Sequence, residues 1–292
     1  MTFNTGYASL DDSNDFVMDG GKGSGMADRE RVLENQEGIA RILAENPADL
    51  YMLQELDKDS SRTFRENQLE VYGQVLPDCG WTYAPNFLCK FVPFPFHKPF
   101  GDVDSGVATY SRFAMEEPQR ISLPTSFSWP MRVANLKRCM LVSRLPIEDE
   151  EAELVVINFH LEAYDSLEGK QAQTEQVLKI MAEEYARGNY VIAGGDFNQI
   201  FPEVVTDLKE TSQWVPGDLE PLPGDWRYVY DDTTPTCRLL NQPCDPESPL
   251  TQYYVIDGFI LSPNVQVQRI QTVNQHFEFS DHNPVILDLL LN

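Results

Sequence analysis

The sequence predicts an α/β sandwich in which two β-sheets pack face to face and helices cover them. Segments rich in β-branched and aromatic residues outnumber the helical ones. Some of these segments alternate apolar with polar residues, whereas others are continuously apolar. That mixture is expected when a sheet meets helices on one face and a second sheet on the other. No repeat or linker divides the 292 residues, so we expect a single domain over residues 1–292.

The strands and loops follow from local composition. Strands are predicted over residues 49–54, 106–110, 139–145, 153–159, 190–193, 253–261, 265–273 and 285–290. The Pro-rich and aromatic stretch 87–100 and the region 214–249 are typical of long loops. Long loops on a rigid scaffold often select the substrate, so we expect specificity to reside there.

Two helices are clear from the spacing of their apolar residues. In the first, apolar residues from Val32 to Leu43 recur at helical intervals, and Asn46-Pro47 ends the run. The second covers residues 167–187, carries one apolar face and ends at Gly188. A third, weaker helix is predicted over residues 64–76.

The charge balance is strongly acidic. The chain has 46 Asp and Glu against 22 Lys and Arg, a formal charge of −24. Such a field repels polyanions, and nucleic-acid binding normally draws on basic surface. Solubility accounts for part of this charge. The remainder disfavours a long DNA or RNA substrate and favours the recruitment of cations into an acidic cleft.

Cysteine usage and hydropathy bound the cellular context. The cysteines show no CxxC or zinc-site spacing, so we expect free thiols, with a Cys237–Cys244 disulfide as the alternative. No run approaches the roughly 18 apolar residues that span a bilayer, and we expect a soluble chain and a monomer. Because the sequence begins abruptly inside a predicted strand, a cytoplasmic protein and the soluble part of a longer exported or anchored protein are both left open.

Three strand ends carry single polar residues of ambiguous meaning. Asn4 lies two residues before a glycine, where an asparagine taken alone is far more often a turn residue than a ligand. Glu55 follows a buried strand, where a carboxylate either binds a hard cation or is simply solvated. His160 ends another apolar strand, and a lone histidine there is usually structural. Their shared position at strand ends makes a common cleft the more specific interpretation.

The segment Gly194-Gly195-Asp196-Phe197-Asn198 is more specific. Its glycines allow a sharp turn after an apolar strand. Asp196 and Asn198 lie two residues apart and can point the same way in extended backbone. The carboxylate can then orient a water molecule and the amide can donate to a phosphoryl oxygen, although an Asx-turn is an equally good interpretation.

The last polar signal along the chain combines Asp257 with Ser280-Asp281-His282. A carboxylate beside an imidazole fixes its tautomer and raises its basicity, as an acid–base dyad requires. Asp257 lies in an apolar run, where an unpaired carboxylate is costly, so we expect it to support His282. Asp281 is then available to bind a metal ion.

In combination these residues resemble the endonuclease/exonuclease/phosphatase superfamily, which has the DNase I-like fold. The resemblance extends from residue 4 to residue 282 and rests on Leu53-Gln54-Glu55, Gly195-Asp196-Phe197-Asn198 and Ser280-Asp281-His282. It implies a four-layered α/β sandwich with two packed mixed β-sheets flanked by helices. It also implies a metal-dependent attack of water on phosphorus.

The resemblance further implies a role for each residue. The metal ligands would be Glu55, assisted by Asn4 and Asp281, with Mg²⁺ as the cofactor and Mn²⁺ as a substitute. The catalytic residues would be Asp196 on the water, Asn198 on the phosphoryl group, the Asp257–His282 pair in proton transfer or charge stabilisation, and His160 on the phosphate.

Less specific signals concern the substrate. Arg238 is a candidate phosphate clamp, although a surface arginine is an equal alternative. His97 lies among phenylalanines that either contact a substrate or pack on the domain. Asp102 and Asp104 are candidates for the acid that supports His160.

Three functional hypotheses follow. The first is a divalent-metal-dependent phosphoesterase for a phosphomono- or phosphodiester whose substrate is a small molecule or a lipid-linked phosphate ester. The second is a DNase I-like endonuclease, which the net charge disfavours. The third is a non-catalytic binding protein on the same fold, which the retained dyad and metal acid disfavour.

Overall fold

The computed structural model describes residues 1–125, 135–164, 167–209 and 214–292. Two six-stranded mixed sheets form its centre. The first sheet has the order β15-β16-β1-β2-β4-β3 and is built from β1 Thr2–Asn4, β2 Leu50–Asp57, β3 Gly80–Val92, β4 Gly101–Ser111, β15 Val265–Thr272 and β16 Val285–Leu291. The second has the order β11-β14-β8-β7-β6-β5 and is built from β5 Glu116–Ser122, β6 Cys139–Pro146, β7 Glu153–His160, β8 Tyr190–Asp196, β11 Arg227–Val229 and β14 Asp257–Leu261.

The remaining elements are helices and short strand pairs. The helices are α1 Arg29–Glu45, α2 Gln68–Val75 and α3 Leu167–Ala186. Short single-turn 3₁₀ helices cover Gly6–Ala8, Val17–Asp19 and Ser61–Thr63. The short strands β9 Gln199–Ile200 and β10 Gly217–Asp218 pair with each other, as do β12 Cys237–Arg238 and β13 Tyr253–Tyr254.

Three apolar clusters join these elements into four layers. Helices α1 and α2 pack on the first sheet through residues such as Ile39 and Tyr72. Helix α3 packs on the second sheet, where Met181 meets Val155 and Ile157. Val156, between those two strand residues, instead joins the core between the sheets. The continuously apolar run in β7 therefore buries both faces of the strand, which confirms the predicted α/β sandwich.

Several predicted boundaries are wrong. The predicted helix over residues 64–76 begins only at Gln68, because Phe64 and Arg65 adopt positive φ angles of 57° and 67° that end the preceding 3₁₀ turn. Residues 87–92, predicted as loop, continue β3. The predicted strand 253–261 is divided between β13 and β14, which belong to different sheets.

Other expectations are settled more simply. The five cysteines are thiols rather than disulfides, as predicted. Region 214–249, predicted as a loop, is irregular apart from the short strands β10, β11 and β12. Within the described residues, no helix combines the length and apolar composition needed to cross a membrane.

Candidate active site

The first sheet brings two of the predicted site residues, Asn4 and Glu55, to one edge. Asn4 ends β1, which runs parallel to β2, and Asn4 is in register with Gln54. Glu55 follows at a bulge of β2, where the pairing with β4 shifts between Leu53 and Leu56. The φ angle of Glu55 is 57°, so its side chain leaves the alternation of the strand and lines the cleft.

The second sheet brings three more residues to the same edge. His160 and Asp196 end the parallel strands β7 and β8 and are direct partners. Asp257 begins the antiparallel strand β14 and is also paired with Asp196. Gly195 allows β8 to approach β7 this closely, because a Cβ atom at that position would lie 1.9 Å from the carbonyl oxygen of Phe159. Register alone therefore places these side chains side by side.

The imidazole of His282 is held by Asp257. Nδ1 of His282 lies 2.8 Å from Oδ2 of Asp257. Nε2 lies 3.4 Å from Nδ2 of Asn4 and 3.7 Å from Oδ2 of Asp196. Burial opposes a charge on the ring, but Asp257, with Cys237 and Asp196, outweighs it and raises the pKa of His282 well above its ordinary value. The expected support of His282 by Asp257 is therefore present as a hydrogen-bonded pair.

Asp196 is the central carboxylate of the site. Oδ2 accepts a hydrogen bond of 3.0 Å from Nδ2 of Asn4, and Oδ1 accepts one of 2.9 Å from the backbone N–H of Asn198. Burial, followed by repulsion from Asp257 and against the attraction of His282, raises the pKa of Asp196 to about 7. A carboxyl group with a pKa near neutrality is suited to exchanging a proton with water.

Asn198 combines the two interpretations of its segment. Its backbone N–H closes an Asx-type turn onto Asp196, and its φ angle is 51°. Its side-chain Nδ2 donates to the carbonyl oxygen of Leu161 at 3.0 Å. The side chain nevertheless lines the cleft, so the turn delivers the amide to the site.

His160 is a second buried imidazole with the opposite electrostatics. Nε2 lies 3.3 Å from Oδ2 of Asp196, and Nδ1 lies 3.7 Å from Oε1 of Glu55. Burial, followed by repulsion from Arg138 and His282, lowers the pKa of His160 well below its ordinary value. The site therefore pairs one imidazole that favours the charged form with one that favours the neutral form.

The expected support of His160 by Asp102 or Asp104 is wrong. Asp102 forms an ion pair with Arg65 at 3.0 Å, and Asp104 accepts a hydrogen bond of 3.0 Å from the hydroxyl of Tyr83. The carboxylates beside His160 are instead Glu55 and Asp196, because β2 and β8 end next to β7.

The predicted metal ligands leave buried oxygens available. Oε2 of Glu55 and Oδ1 of Asp281 have no hydrogen-bond partner among the described residues. Gly6 borders them, and a Cβ atom there would lie 2.9 Å from Oδ1 of Asp281. Oδ1 of Asn4 accepts a 3.1 Å hydrogen bond from the N–H of Gly6. Burial, with repulsion from Glu55, raises the pKa of Asp281 to about 7. Unpartnered oxygens that repel each other fit a hard divalent cation.

A second group of possible ligands lies nearby. One potential ligand atom each from Asp196, Asp257 and His282 lies within 4.8 Å of the others. However, Nδ1 of His282 and Oδ2 of Asp257 already form a hydrogen bond with each other. We therefore favour Glu55 and Asp281 as the cation-binding pair.

The two predicted substrate contacts lie in different places. Arg238 is buried in the cleft, where its Nη atoms donate to the carbonyl oxygens of Asp11, Asn14 and Gln242, and its Nε has no partner among the described residues. Its guanidinium thus mainly holds neighbouring loops. His97 is exposed and is not among the residues that line the cleft.

Arg138 is a cleft residue that the sequence analysis missed. Its side chain is buried, lies 3.7 Å from a carboxylate oxygen of Glu162 and leaves Nε and Nη1 without a hydrogen-bond partner in the described part of the chain. It directly precedes β6, whose antiparallel pairing with β7 brings it to the end that carries His160. A cation just before an apolar strand was the available signal.

One cleft of about 630 Å³ is lined by Asn4, Glu55, Arg138, His160, Asp196, Asn198, Arg238, Asp281 and His282. Asp257 and His97 are not among its lining residues. Its floor is polar, whereas aromatic and aliphatic side chains form much of its wall. The arrangement can bind a cation, orient a water molecule and stabilise negative charge next to an apolar surface.

Comparisons with known proteins agree with this geometry. The model of the Endonuclease/Exonuclease/phosphatase family matches residues 1–282. An endonuclease/exonuclease/phosphatase from Beutenbergia cavernae superposes with a TM-score of 0.67 and 20% identity, covering 99% of this chain and 70% of that chain. A mannosyl-6-phosphatase from Bacteroides thetaiotaomicron gives a TM-score of 0.56, 20% identity and coverage of 88% and 91%.

A humanized D. rerio TDP2 gives a TM-score of 0.59 at 14% identity, covering 99% of this chain and 97% of that chain. Among curated proteins, none matches the sequence significantly. At such identities the structural likenesses establish the fold.

Proposed function

The chain belongs to the Endonuclease/Exonuclease/phosphatase family, and we propose that it is a divalent-metal-dependent phosphoesterase acting on a small or lipid-linked phosphate ester. One observation carries the proposal. The imidazole of His282, hydrogen-bonded to Asp257, lines the same cleft as Glu55 and Asp281, each of which has one buried carboxylate oxygen without a hydrogen-bond partner among the described residues. Phosphoryl transfer needs charge neutralisation and in-line positioning more than a covalent nucleophile, and this set of groups meets that need.

In the proposed mechanism each residue has one task. Asn4, Glu55 and Asp281 would hold Mg²⁺, or Mn²⁺ in its place. When bound, the cation would supply charge neutralisation at the phosphoryl oxygens. Asp196 would orient the attacking water and accept its proton, which the raised pKa of this carboxyl favours.

Asn198, His160 and His282 would act on the phosphoryl group. The amide of Asn198 and the neutral imidazole of His160 would donate hydrogen bonds to its oxygens. His282, kept charged by Asp257, would stabilise the pentacovalent state or protonate the leaving oxygen.

The electrostatics support a substrate smaller than a nucleic acid. The net charge is −24, and the three arginines that line the cleft are all buried. Among the described lining residues there is no lysine and no exposed arginine to contact flanking phosphates. Binding of a polynucleotide normally draws on such cations along its track.

A panel of phosphomonoesters and phosphodiesters, assayed with and without Mg²⁺ or Mn²⁺, tests the proposal. We expect metal-dependent release of product, reduced about 100-fold or more in Glu55→Gln and in His282→Ala. Exposed residues outside the cleft provide matched controls, Glu37→Gln and His276→Asn, and these should behave like the parent.

Three results would contradict parts of the proposal. Absence of hydrolysis from the whole panel, or unchanged rates in Glu55→Gln and His282→Ala, would overturn the activity. Plasmid nicking that needs metal and is abolished by His282→Ala would replace the substrate class with nucleic acid. Calorimetry without Mg²⁺ or Mn²⁺ binding would favour a non-catalytic binding protein.

A further inference from the structure

Besides its polar groups, the cleft is lined by several aromatic and aliphatic side chains. We call this surface the apolar wall and define it by six residues: Phe16, Met18, Phe94, Phe96, Trp214 and Leu240. Phe96 is 85% exposed and Met18 is 43% exposed, so the wall reaches the mouth of the cleft. Apolar side chains that are exposed at a cleft often mark a binding surface.

We propose that the apolar wall binds a hydrocarbon chain attached to the phosphate, so that the substrate class is an amphiphilic phosphate ester. The hydrolysis of that ester rests on the proposed function, but the binding of the chain does not require turnover. The wall and the polar floor belong to the same cleft of about 630 Å³. That volume is typical of sites for ligands much larger than a phosphate group.

The rings of the wall are held in place by their neighbours. Phe16 stacks on Phe100 with ring centroids 6.1 Å apart, and Phe94 meets Phe96 edge to face at 5.9 Å. Leu240 is buried in a cluster that Phe16 joins. The wall is thus supported from behind, and a bound chain needs little rearrangement of the protein.

Polar atoms of two residues at the wall, Trp214 and its neighbour Asp19, are paired within the protein. Nε1 of Trp214 donates to the carbonyl oxygen of Ala163 at 2.8 Å. Asp19 accepts a 2.8 Å hydrogen bond from the hydroxyl of Tyr164 and a longer one, 3.4 Å, from the N–H of Leu240. A polar leaving group would find few free partners here and would lose hydrogen bonds to water on entering. A hydrocarbon chain loses none.

The charge beside the wall argues against an anionic leaving group. Asp19 lines the cleft and accepts a hydrogen bond from the N–H of the wall residue Leu240, and the cationic Nη atoms of Arg238 are engaged by carbonyl oxygens. Arg138 directly precedes β6, at the end of the β6–β7 pair that carries His160, and its Nε and Nη1 have no hydrogen-bond partner among the described residues, so it belongs to the phosphate end. Charge recognition is thus confined to the floor, and apolar contact to the wall.

Binding of n-alkylphosphonates tests the inference, because they cannot be hydrolysed and report affinity alone. The Kd would be measured by calorimetry with Mg²⁺ for ethyl to octyl chains, below their critical micelle concentrations. Full burial of a methylene strengthens binding about fourfold, and half burial about twofold. We therefore expect the Kd to fall about fifteenfold or more between butyl- and octylphosphonate.

The variants that test the inference replace two exposed residues of the apolar wall. Phe96→Ser and Met18→Ser remove exposed apolar side chains, so both proteins should fold, and both should flatten the dependence of the Kd on chain length. Phe91→Ser is the matched control, since Phe91 is 60% exposed in the neighbouring strand β3 and does not line the cleft. Its chain-length dependence should equal that of the parent.

The outcomes separate this inference from the proposed function. A Kd independent of chain length, no binding of any phosphonate, or equal flattening in Phe91→Ser would overturn the apolar wall as the chain site. A steep chain-length dependence without hydrolysis of the matching alkyl phosphates would support the wall and refute the enzymatic activity. Hydrolysis of short esters together with a Kd that does not depend on chain length would support the enzymatic activity and refute the wall as the chain site.

Discussion

Asp257→Asn is the sharpest perturbation of the proposed chemistry, because it removes a charge and almost no volume. The 2.8 Å contact with Nδ1 of His282 changes from a charge-assisted to a neutral hydrogen bond. Charge-assisted bonds contribute about 1.5–3 kcal/mol and neutral ones about 0.5–1.5 kcal/mol. The loss of about 1–2 kcal/mol of stabilisation of the imidazolium corresponds to a fall in kcat of about 5- to 30-fold.

Stability should fall only modestly. The bond to His282 is already formed in the folded state, so weakening it also lowers the free energy of unfolding. Oδ1 of Asp257 is buried and has no hydrogen-bond partner in the described part of the chain, so removing its charge offsets part of that loss. We expect the free energy of unfolding to fall by no more than about 2 kcal/mol. A fall in kcat with so small a loss of stability would place the effect of Asp257 on His282.

The assay is the initial rate on the ester that the parent hydrolyses fastest, with saturating Mg²⁺, alongside urea unfolding. Asp218→Asn is the control, because Asp218 is exposed and does not line the cleft. A kcat within twofold of the parent would refute the dyad. A fall of more than about 2 kcal/mol in unfolding free energy would indicate that the carboxylate acts structurally.

Three further predictions concern stability. Gly195→Ala should lower the free energy of unfolding in urea by about 4 kcal/mol or more, because the new Cβ would lie 1.9 Å from a backbone oxygen of β7 and the φ angle is 149°. Gly224→Ala is the control and should cost far less, because its φ is 59° and the space around it is open. Burial raises the pKa of Asp19 from 3.8 to about 6, so its ionisation weakens the fold as the pH rises through that range. Asp19→Asn should therefore stabilise the protein by about 2–3 kcal/mol at pH 8 and by about half as much at pH 5; an equal gain at both pH values would contradict the assignment. Arg62→Met removes the buried bidentate partner of Asp57 and should lower the free energy of unfolding by about 3–5 kcal/mol. Adding Asp57→Asn should restore part of that loss, because the carboxylate is then no longer buried without a partner. A melting temperature of Arg62→Met close to the parent's would refute this.

Local patterns in the sequence were sufficient to predict the layers of the fold. The run Val155-Val156-Ile157 is apolar without alternation, and its consecutive side chains pack on α3 and on the opposite sheet in turn. The strand ends could also be recognised from local sequence, since His160 and Asp196 each directly follow an apolar run. Hydrophobic period and strand length are local properties, so one sequence is enough to recognise them.

Element boundaries depended on contacts beyond that local pattern. The division of residues 253–261 between two sheets follows from the partners of Tyr254 and Phe259, which are Cys237 and Gly194. No periodicity within those residues distinguishes one partner from the other.

The convergence seen at Ser280-Asp281-His282 was decided partly by sequence and partly by tertiary structure. Sequence alone identified the residue types of the proposed phosphate site and the strand ends that carry them. Tertiary structure decided that a bulge turns Glu55 into the cleft, that Arg138 arrives from the start of β6, and that His97 stays outside. It also placed the apolar wall beside the polar floor. Strand register and chain closure bring distant residues together, and neither is encoded in a local period.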